Sequence, residues 1–189
     1  MKLDGLKVAV LVTDGYEPSE LTEPMRALRD AGAEPKIISD HDGQIKGKTE
    51  ADAADVDLTL EAARPEEFGA LMLPGGVKNP DTMRQNERGV AFVRHFAQSG
   101  KPIAAICHAP WMLIEADAVR GRRVTSYPSL RTDLRNAGAE WVDEEVVTDR
   151  GLVTSRTPKD IPAFNAKMIE EFGEGTHERA ARGEASIAR

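Results

Sequence analysis

Cys107 is the only cysteine in the chain, and the residues around it decide what its sulfur can do. Lys101 and Pro102 lead into the apolar run Ile103 to Ile106, His108 follows the cysteine, and Pro110 stands where a helix takes its first turn. This order predicts a buried strand, a tight turn and a helix from Ala109 to Ala116, with Cys107 at the handover. Unpaired amides and the helix dipole favour negative charge there and lower a thiol's pKa, and the thiolate is the nucleophile. The alternative is a small buried hydrophobe, the common fate of a lone intracellular cysteine. One cysteine and four scattered histidines offer no ligand spacing for zinc, so neither a metal nor another cofactor is expected.

Two further stretches carry chemistry. Glu17, in Asp14-Gly-Tyr-Glu-Pro-Ser-Glu20, follows an apolar strand and lies either at a site or simply at the cap of the next helix. Gly75 and Gly76 end Leu71-Met-Leu-Pro-Gly-Gly76, where bare backbone either approaches a ligand and holds an oxyanion or makes a plain tight turn. Gly47-Lys48-Thr49 is a decoy. A phosphate loop needs its opening glycine one residue before Gly43, and the polar residues that follow do not read as a helix packed under a nucleotide.

The elements that must position these residues alternate along the chain. Lys7 to Thr13 is a near-continuous apolar run, as in a strand buried on both faces. A helix to about Ala31 follows, with Leu21, Met25 and Leu28 at helical steps and Gly32 as its stop. Pro35 to Ser39 reads as a second strand, 40 to 57 as a polar excursion with a hairpin near Gly43 and Gly47, and Phe68 to Leu73 as another buried strand. One helix is expected from Asn79 to Gln98, opened by Asn79 or Asp81 and closed by Gly100. Arg123 to Pro128 reads as strand and turn, and Leu130 to Ala137 as a short helix. Trp141 to Asp149 and Leu152 to Arg156 read as an antiparallel meander, and Pro158 to Phe172 as a last amphipathic helix. This alternation predicts an α/β fold, a doubly wound, mostly parallel sheet with helices on both faces. Ligands collect at the carboxyl ends of its strands, where Glu17, Gly75-Gly76 and Cys107-His108 all fall.

A chain of 189 residues fits one domain, read here as 1–173, followed by a charged, Gly-containing tail over 174–189 that is expected to be mobile. A net charge of −7 without a basic patch argues against nucleic-acid or anionic-membrane affinity. Asp4 and Lys7 interrupt any signal-peptide core, so a cytoplasmic location is expected.

With these motifs the sequence resembles the ThiJ/PfpI superfamily, in particular the PfpI branch of intracellular protease-like proteins, also grouped as peptidase C56. The resemblance runs from Leu6 to Phe172 and rests on Asp14 to Glu17 with Glu20-Leu21, Leu73-Pro-Gly-Gly76, Gly100 to Pro110, Gly121-Arg-Arg, Thr125-Ser-Tyr-Pro128 and Ala137 to Asp143. It implies a flavodoxin-like, class I glutamine amidotransferase-like three-layer sandwich. It also implies Cys107 as nucleophile on a strained elbow, with Glu17 protonated and hydrogen-bonded to the sulfur, its own pKa raised by burial. His108 is the implied base. Asp81 of a neighbouring subunit is its implied orienting carboxylate, or else a helix cap. Gly75, Gly76, Ala109 and Tyr127 are the implied oxyanion and substrate contacts. The implied activity is cysteine-dependent chemistry on small reactive carbonyls or their protein and nucleotide adducts, of glyoxalase or deglycase type, in a stress response. Three alternatives stay open: a redox sensor working through Cys107 oxidation, an intracellular peptidase, and a chaperone. A homodimer or larger homo-oligomer is the implied assembly.

Overall fold

The computed structural model describes residues 2–49 and 51–177. Lys7–Leu11 forms β1, and its alternate residues serve opposite faces. Ala9 and Leu11 join one core, Val8 and Val10 the other. The remaining strands of the main sheet are β2 (Glu34–Ser39), β5 (Leu58–Thr59), β6 (Ala70–Leu73), β7 (Ile103–Ile106), β10 (Val146–Asp149) and β11 (Leu152–Ser155). Between them lie two short pairs, β3 (Gln44–Lys46) with β4 (Ala53–Asp55) antiparallel, and β8 (Arg123–Val124) with β9 (Glu140–Trp141) parallel. The helices are α1 (Pro18–Asp30), α2 (Lys78–Met83), α3 (Glu87–Ser99), α4 (Pro110–Glu115), α5 (Arg131–Asn136) and α6 (Ile161–Glu174).

The sheet runs in the order β10-β11-β7-β6-β1-β2-β5, parallel throughout except where β10 pairs antiparallel with β11. Phe92, Phe96, Met112, Leu113 and Leu134 cover one face from α3, α4 and α5, while Leu21, Met25, Leu28, Phe164 and Phe172 cover the other from α1 and α6. This is the three-layer α/β sandwich. β6, β7 and β11 are buried at every position, which is why their sequences read as unbroken apolar or small-residue runs. The chain adds β2 on one side of β1 and then returns to place β6 on the other. The crevice between the carboxyl ends of β1 and β6 is thus the switch point at which such sheets bind ligands.

Four local expectations need correction. The helix expected over 79–98 is two helices, because Asn86 takes extended backbone and its side chain caps α3 by accepting from the amides of Arg88 and Gly89. The expected meander lacks its first part. Trp141 pairs with Val124 in the short parallel ribbon, and only β10 and β11 form the hairpin, around Arg150 and Gly151 at positive φ. Of the strand and turn expected over 123–128, the strand takes only the two residues of β8. Finally, the start of the expected tail is held. Glu174 is helical, and the His177 amide donates to the Gly100 carbonyl at 2.9 Å. The rest of that tail, from 178 onward, lies outside the described residues. Among the described residues, no helix is long and apolar enough to cross a membrane.

Candidate active site

β7 delivers Cys107 to the carboxyl edge of the sheet in a left-handed backbone conformation, φ +65°, that costs a non-glycine residue on the order of 1 kcal/mol or more. Two long-range bonds hold it there. The Cys107 amide donates to the Ser155 carbonyl at 3.0 Å, and its carbonyl accepts from the Tyr127 amide at 2.9 Å. The resulting elbow aims the sulfur at the crevice beside β6 and keeps the residue 7% exposed.

The acid against the sulfur is Glu20, not Glu17. Glu20 is fully buried in the first turn of α1, where its Oε2 accepts the Gly75 amide at 3.0 Å and its carboxyl interacts with the Cys107 side chain. Its Oε1 is also buried and has no hydrogen-bond partner among the described residues. Glu17 occupies the position before the helix, makes no capping bond, and turns its carboxylate to Lys48 in an ion pair. The reason is helical geometry. Glu20, Pro24 and Leu28 share the buried face of α1 at four-residue steps, whereas Glu17 precedes the helix in extended backbone. Gly75 carries no side chain because one would collide with both the Glu20 carboxylate and the Cys107 Cβ, and Gly76, at φ +79°, packs against the backbone of Gly15 and Glu17. Asn79 ties the two loops together. Its Oδ1 accepts from Thr13 N at 2.8 Å, and its Nδ2 donates to the Pro74 and Gly75 carbonyls, each at 3.0 Å.

The amides expected to hold an oxyanion divide. Those of Gly75 and Ala109 are occupied, the first by Glu20 and the second by the Ile106 carbonyl at 3.0 Å. Ala109 is therefore withdrawn as a donor. The amides that bear on the sulfur are those of Gly76, which Glu20 shares, and His108, and these are the donors nearest to charge developing beside it. On the His108 ring, Nδ1 lies 3.2 Å from the Cys107 sulfur and Nε2 lies 3.3 Å from the Ser129 hydroxyl. Tyr127 stacks on it at 4.5 Å between ring centroids, and Trp111 meets it edge-on at 5.2 Å. Asp81 is exposed on α2, inside the helix rather than at its cap. Within one chain it does not reach this histidine.

The electrostatics correct a second expectation. Burial and the charge of Glu20 push the Cys107 thiol above its ordinary value, against the pull of the Gly76 and His108 amides. Burial likewise raises Glu20 to about 7, aided by the charge of Glu17 and opposed by hydrogen bonding to Cys107 and the two glycine amides. Burial keeps His108 below its usual value, so it is neutral at pH 7. α4 has six residues and contributes little dipole. The sulfur thus sits in a water-poor pocket beside an acid, not at an electropositive turn. Near neutrality the thiol keeps its proton, and Glu20 is the member of the pair that gains or loses one.

The sequence reading missed Glu20, Asn79 and Ser129. For Glu20 the signal was weak, since its place on the apolar stripe of an amphipathic helix competes with the ordinary preference for an acid in the first turn. None existed for Ser129, whose partner is fixed by the path of the loop after β8.

The DJ-1/PfpI family profile matches residues 6–171. The chain is 47% identical to protein/nucleic acid deglycase 2 of Escherichia coli over 169 residues, covering 88% of this chain and 98% of that one. It is 45% identical to general stress protein 18 of Bacillus subtilis, covering 87% and 96%. Among solved structures, it superposes on a two-domain protein of Anabaena variabilis containing DJ-1/ThiJ/PfpI-like and ferritin-like domains, with TM-score 0.85 and 37% identity over 89% of this chain and 48% of the other. Drosophila melanogaster DJ-1beta gives TM-score 0.82 and 29% identity, covering 89% and 91%.

Proposed function

This chain belongs to the DJ-1/PfpI family, and from that premise we propose that it is a deglycase-type enzyme of the stress response that uses Cys107 on small reactive carbonyls and their adducts. The observation that carries the proposal is the Cys107 sulfur held between a buried acid, Glu20, and a neutral imidazole nitrogen 3.2 Å away. The names of the two bacterial relatives, a protein/nucleic acid deglycase and a general stress protein, support the reaction class.

On a 2-oxoaldehyde such as methylglyoxal, the roles follow from the geometry. His108 Nδ1 takes the thiol proton, and the thiolate adds to the aldehyde carbon. The carbonyl π pair moves to oxygen, where the Gly76 and His108 amides accept the charge and Glu20, protonated, supplies a proton to give the hemithioacetal. Glu20, now a carboxylate, takes the proton from the hemithioacetal carbon and returns it to the neighbouring carbon of the resulting enediolate, while the hydroxyl proton passes from the first oxygen to the second. This leaves a thioester of the 2-hydroxy acid, which water cleaves to acid and free thiol. The sum is aldehyde plus water to 2-hydroxy acid, with no external oxidant. In a hemiaminal adduct, the C–N bond breaks as the C–S bond forms, the amine leaves with a proton from Glu20, and the same hemithioacetal results. The carboxyl with a proton affinity near neutral pH is what lets one group act as acid and then as base.

A second reading rests on the same contact. With a single cysteine, peroxide can carry Cys107 to sulfenic and sulfinic acid with no internal thiol to reverse it, and a protonated Glu20 donates to the product's oxygen. Wild type, Cys107→Ala and Glu20→Gln, each assayed for methylglyoxal loss, lactate formation, peptide cleavage and mass gain after peroxide, separate the readings. Aldehyde loss abolished in both variants supports the enzyme. A wild type that gains oxygen yet consumes no aldehyde leaves only the sensor. Asp81 enters only if a second copy brings it to His108. Light scattering showing a dimer or larger assembly, together with a slower Asp81→Asn variant, supports that arrangement, and a monomer removes it.

A further inference from the structure

The turn Gly47-Lys48-Thr49 fails the spacing of a phosphate loop, but its place in the fold is not idle. The β3–β4 hairpin is bolted to the loop that follows β1. Gly15 N donates to the Lys46 carbonyl at 2.7 Å, Lys46 N to Asp14 Oδ1 at 2.8 Å, and Tyr16 pairs with Gly47 in a β-bridge. The Tyr16 hydroxyl reaches the Asp52 carbonyl at 2.6 Å, and the Asp52 carboxylate in turn binds Thr49 through its amide and hydroxyl, at 3.1 and 2.8 Å. Lys48 is thereby presented to Glu17. Their ion pair stands one helical turn from Glu20, with Glu17 19% and Lys48 63% exposed at the side chain.

We propose that the Lys48–Glu17 pair sets the charge of the Cys107 site, Lys48 acting as a positioning residue that cancels the Glu17 carboxylate so that Cys107 and Glu20 give up their protons more readily. This deepens the function proposed above and rests on its assignment of Cys107 as the reacting group. The charges agree with the geometry. The Lys48 ammonium responds to Glu17 first and also to Glu20 and Cys107, while the Glu17 charge raises the proton affinity of Glu20. The other groups around the site are accounted for. His108 is neutral, Asp14 is engaged by Lys46 N and lies 3.6 Å from His41, and Lys78 of α2 packs its stem over Gly15. Tyr127 stacks on His108, and Arg156, next to Ser155, is committed to Asp160 and Asp143. Cancelling Glu17 therefore falls to the hairpin. Without Lys48, the Glu17 carboxylate stands uncancelled beside Glu20, and the added negative charge one helical turn from the sulfur holds the site's protons more tightly.

The test reads the thiol directly, by the rate and pH profile of iodoacetamide alkylation, with thermal melts as a check on folding. Lys48→Met should slow alkylation at pH 8 about three- to tenfold and move the profile alkaline by about 0.5 to 1 pH unit. Glu17→Gln should move it the opposite way, the double variant should return close to wild type, and Lys48→Arg should match wild type. Opposite signs that cancel in the double variant are something a purely structural role for the hairpin does not produce. Single variants that shift in the same direction, or a Lys48→Met profile that does not move, overturn the proposal. Methylglyoxal turnover is measured separately. A wild type without it sinks the enzyme reading but leaves the alkylation result standing, whereas intact turnover with an unmoved alkylation profile removes only the role of the pair.

Discussion

The two edges of the same sheet treat their inward acids, one partly and one fully buried, in opposite ways. At the amino edge, Asp149 accepts from Arg122 Nε at 3.2 Å, Arg150 Nε at 2.7 Å and the Arg123 amide at 2.9 Å. Burial alone raises its pKa, but these bonds and the two guanidinium charges outweigh it and hold the carboxyl below its ordinary value. At the carboxyl edge, Glu20 is more deeply buried and, among the described residues, no cation forms an ion pair with it, so its pKa rises to about 7. An acid matched by cations is a fastening. An acid left beside a sulfur without one is a proton store, and the contrast marks the carboxyl edge as the one suited to chemistry.

The contrast can be broken or sharpened by substitution. The largest effect is expected at the sulfur. Cys107→Ala should lower methylglyoxal consumption on the order of a thousandfold or more while leaving the melting curve near wild type, and retained turnover would show that the reactive edge has been misplaced. Glu20→Gln comes next. Loss of the proton carrier should cost about a hundredfold in turnover, yet it should stabilise the fold at pH 8. The sign follows from linkage. A carboxyl raised from 4.5 to about 7 contributes stability that is complete below its unfolded value and lost as pH rises through the folded one. Removing the ionisable group recovers up to about 3 kcal/mol at pH 8, and urea melts at pH 5 and pH 8 measure it.

Asp149→Asn should do the reverse, leaving turnover unchanged while destabilising by about 1 to 3 kcal/mol, since Arg122 is then left largely buried without its carboxylate. The depressed pKa of Asp149 places its contribution above the unfolded value and removes it as pH falls through the folded one, whereas the contribution of Glu20 is lost as pH rises. The smallest effect is at Ser129. Ser129→Ala frees one ring nitrogen of His108 and should lower turnover only a few-fold, chiefly by shifting the pH profile; a larger loss would make Ser129 part of the proton path.

Much of this was legible in the chain, and the reasons are local. Lys7–Leu11 and Ile103–Ile106 announce themselves because strands buried on both faces need apolar residues at every position. The elbow follows from one cysteine set between such a run and Pro110. Glu20 was hidden because an acid in a helix's first turn suits the dipole whichever way it faces. Only the docking of the loop after β6, through Gly75 and Asn79, decides which of two acids three residues apart is turned inward. Trp141 misled for the same reason. Its partner strand, Arg123–Val124, is chosen by tertiary packing, and no periodicity within 141–149 records it.

The bond between the Cys107 amide and the Ser155 carbonyl fixes when, as well as where, the elbow forms. A ribosome releases the cysteine long before the strand that holds its backbone, so the newly made thiol passes through a period of unguarded exposure. The elbow closes only with the last strand of the sheet, and a prematurely terminated product ending before Leu152 lacks the carbonyl that pins the Cys107 amide.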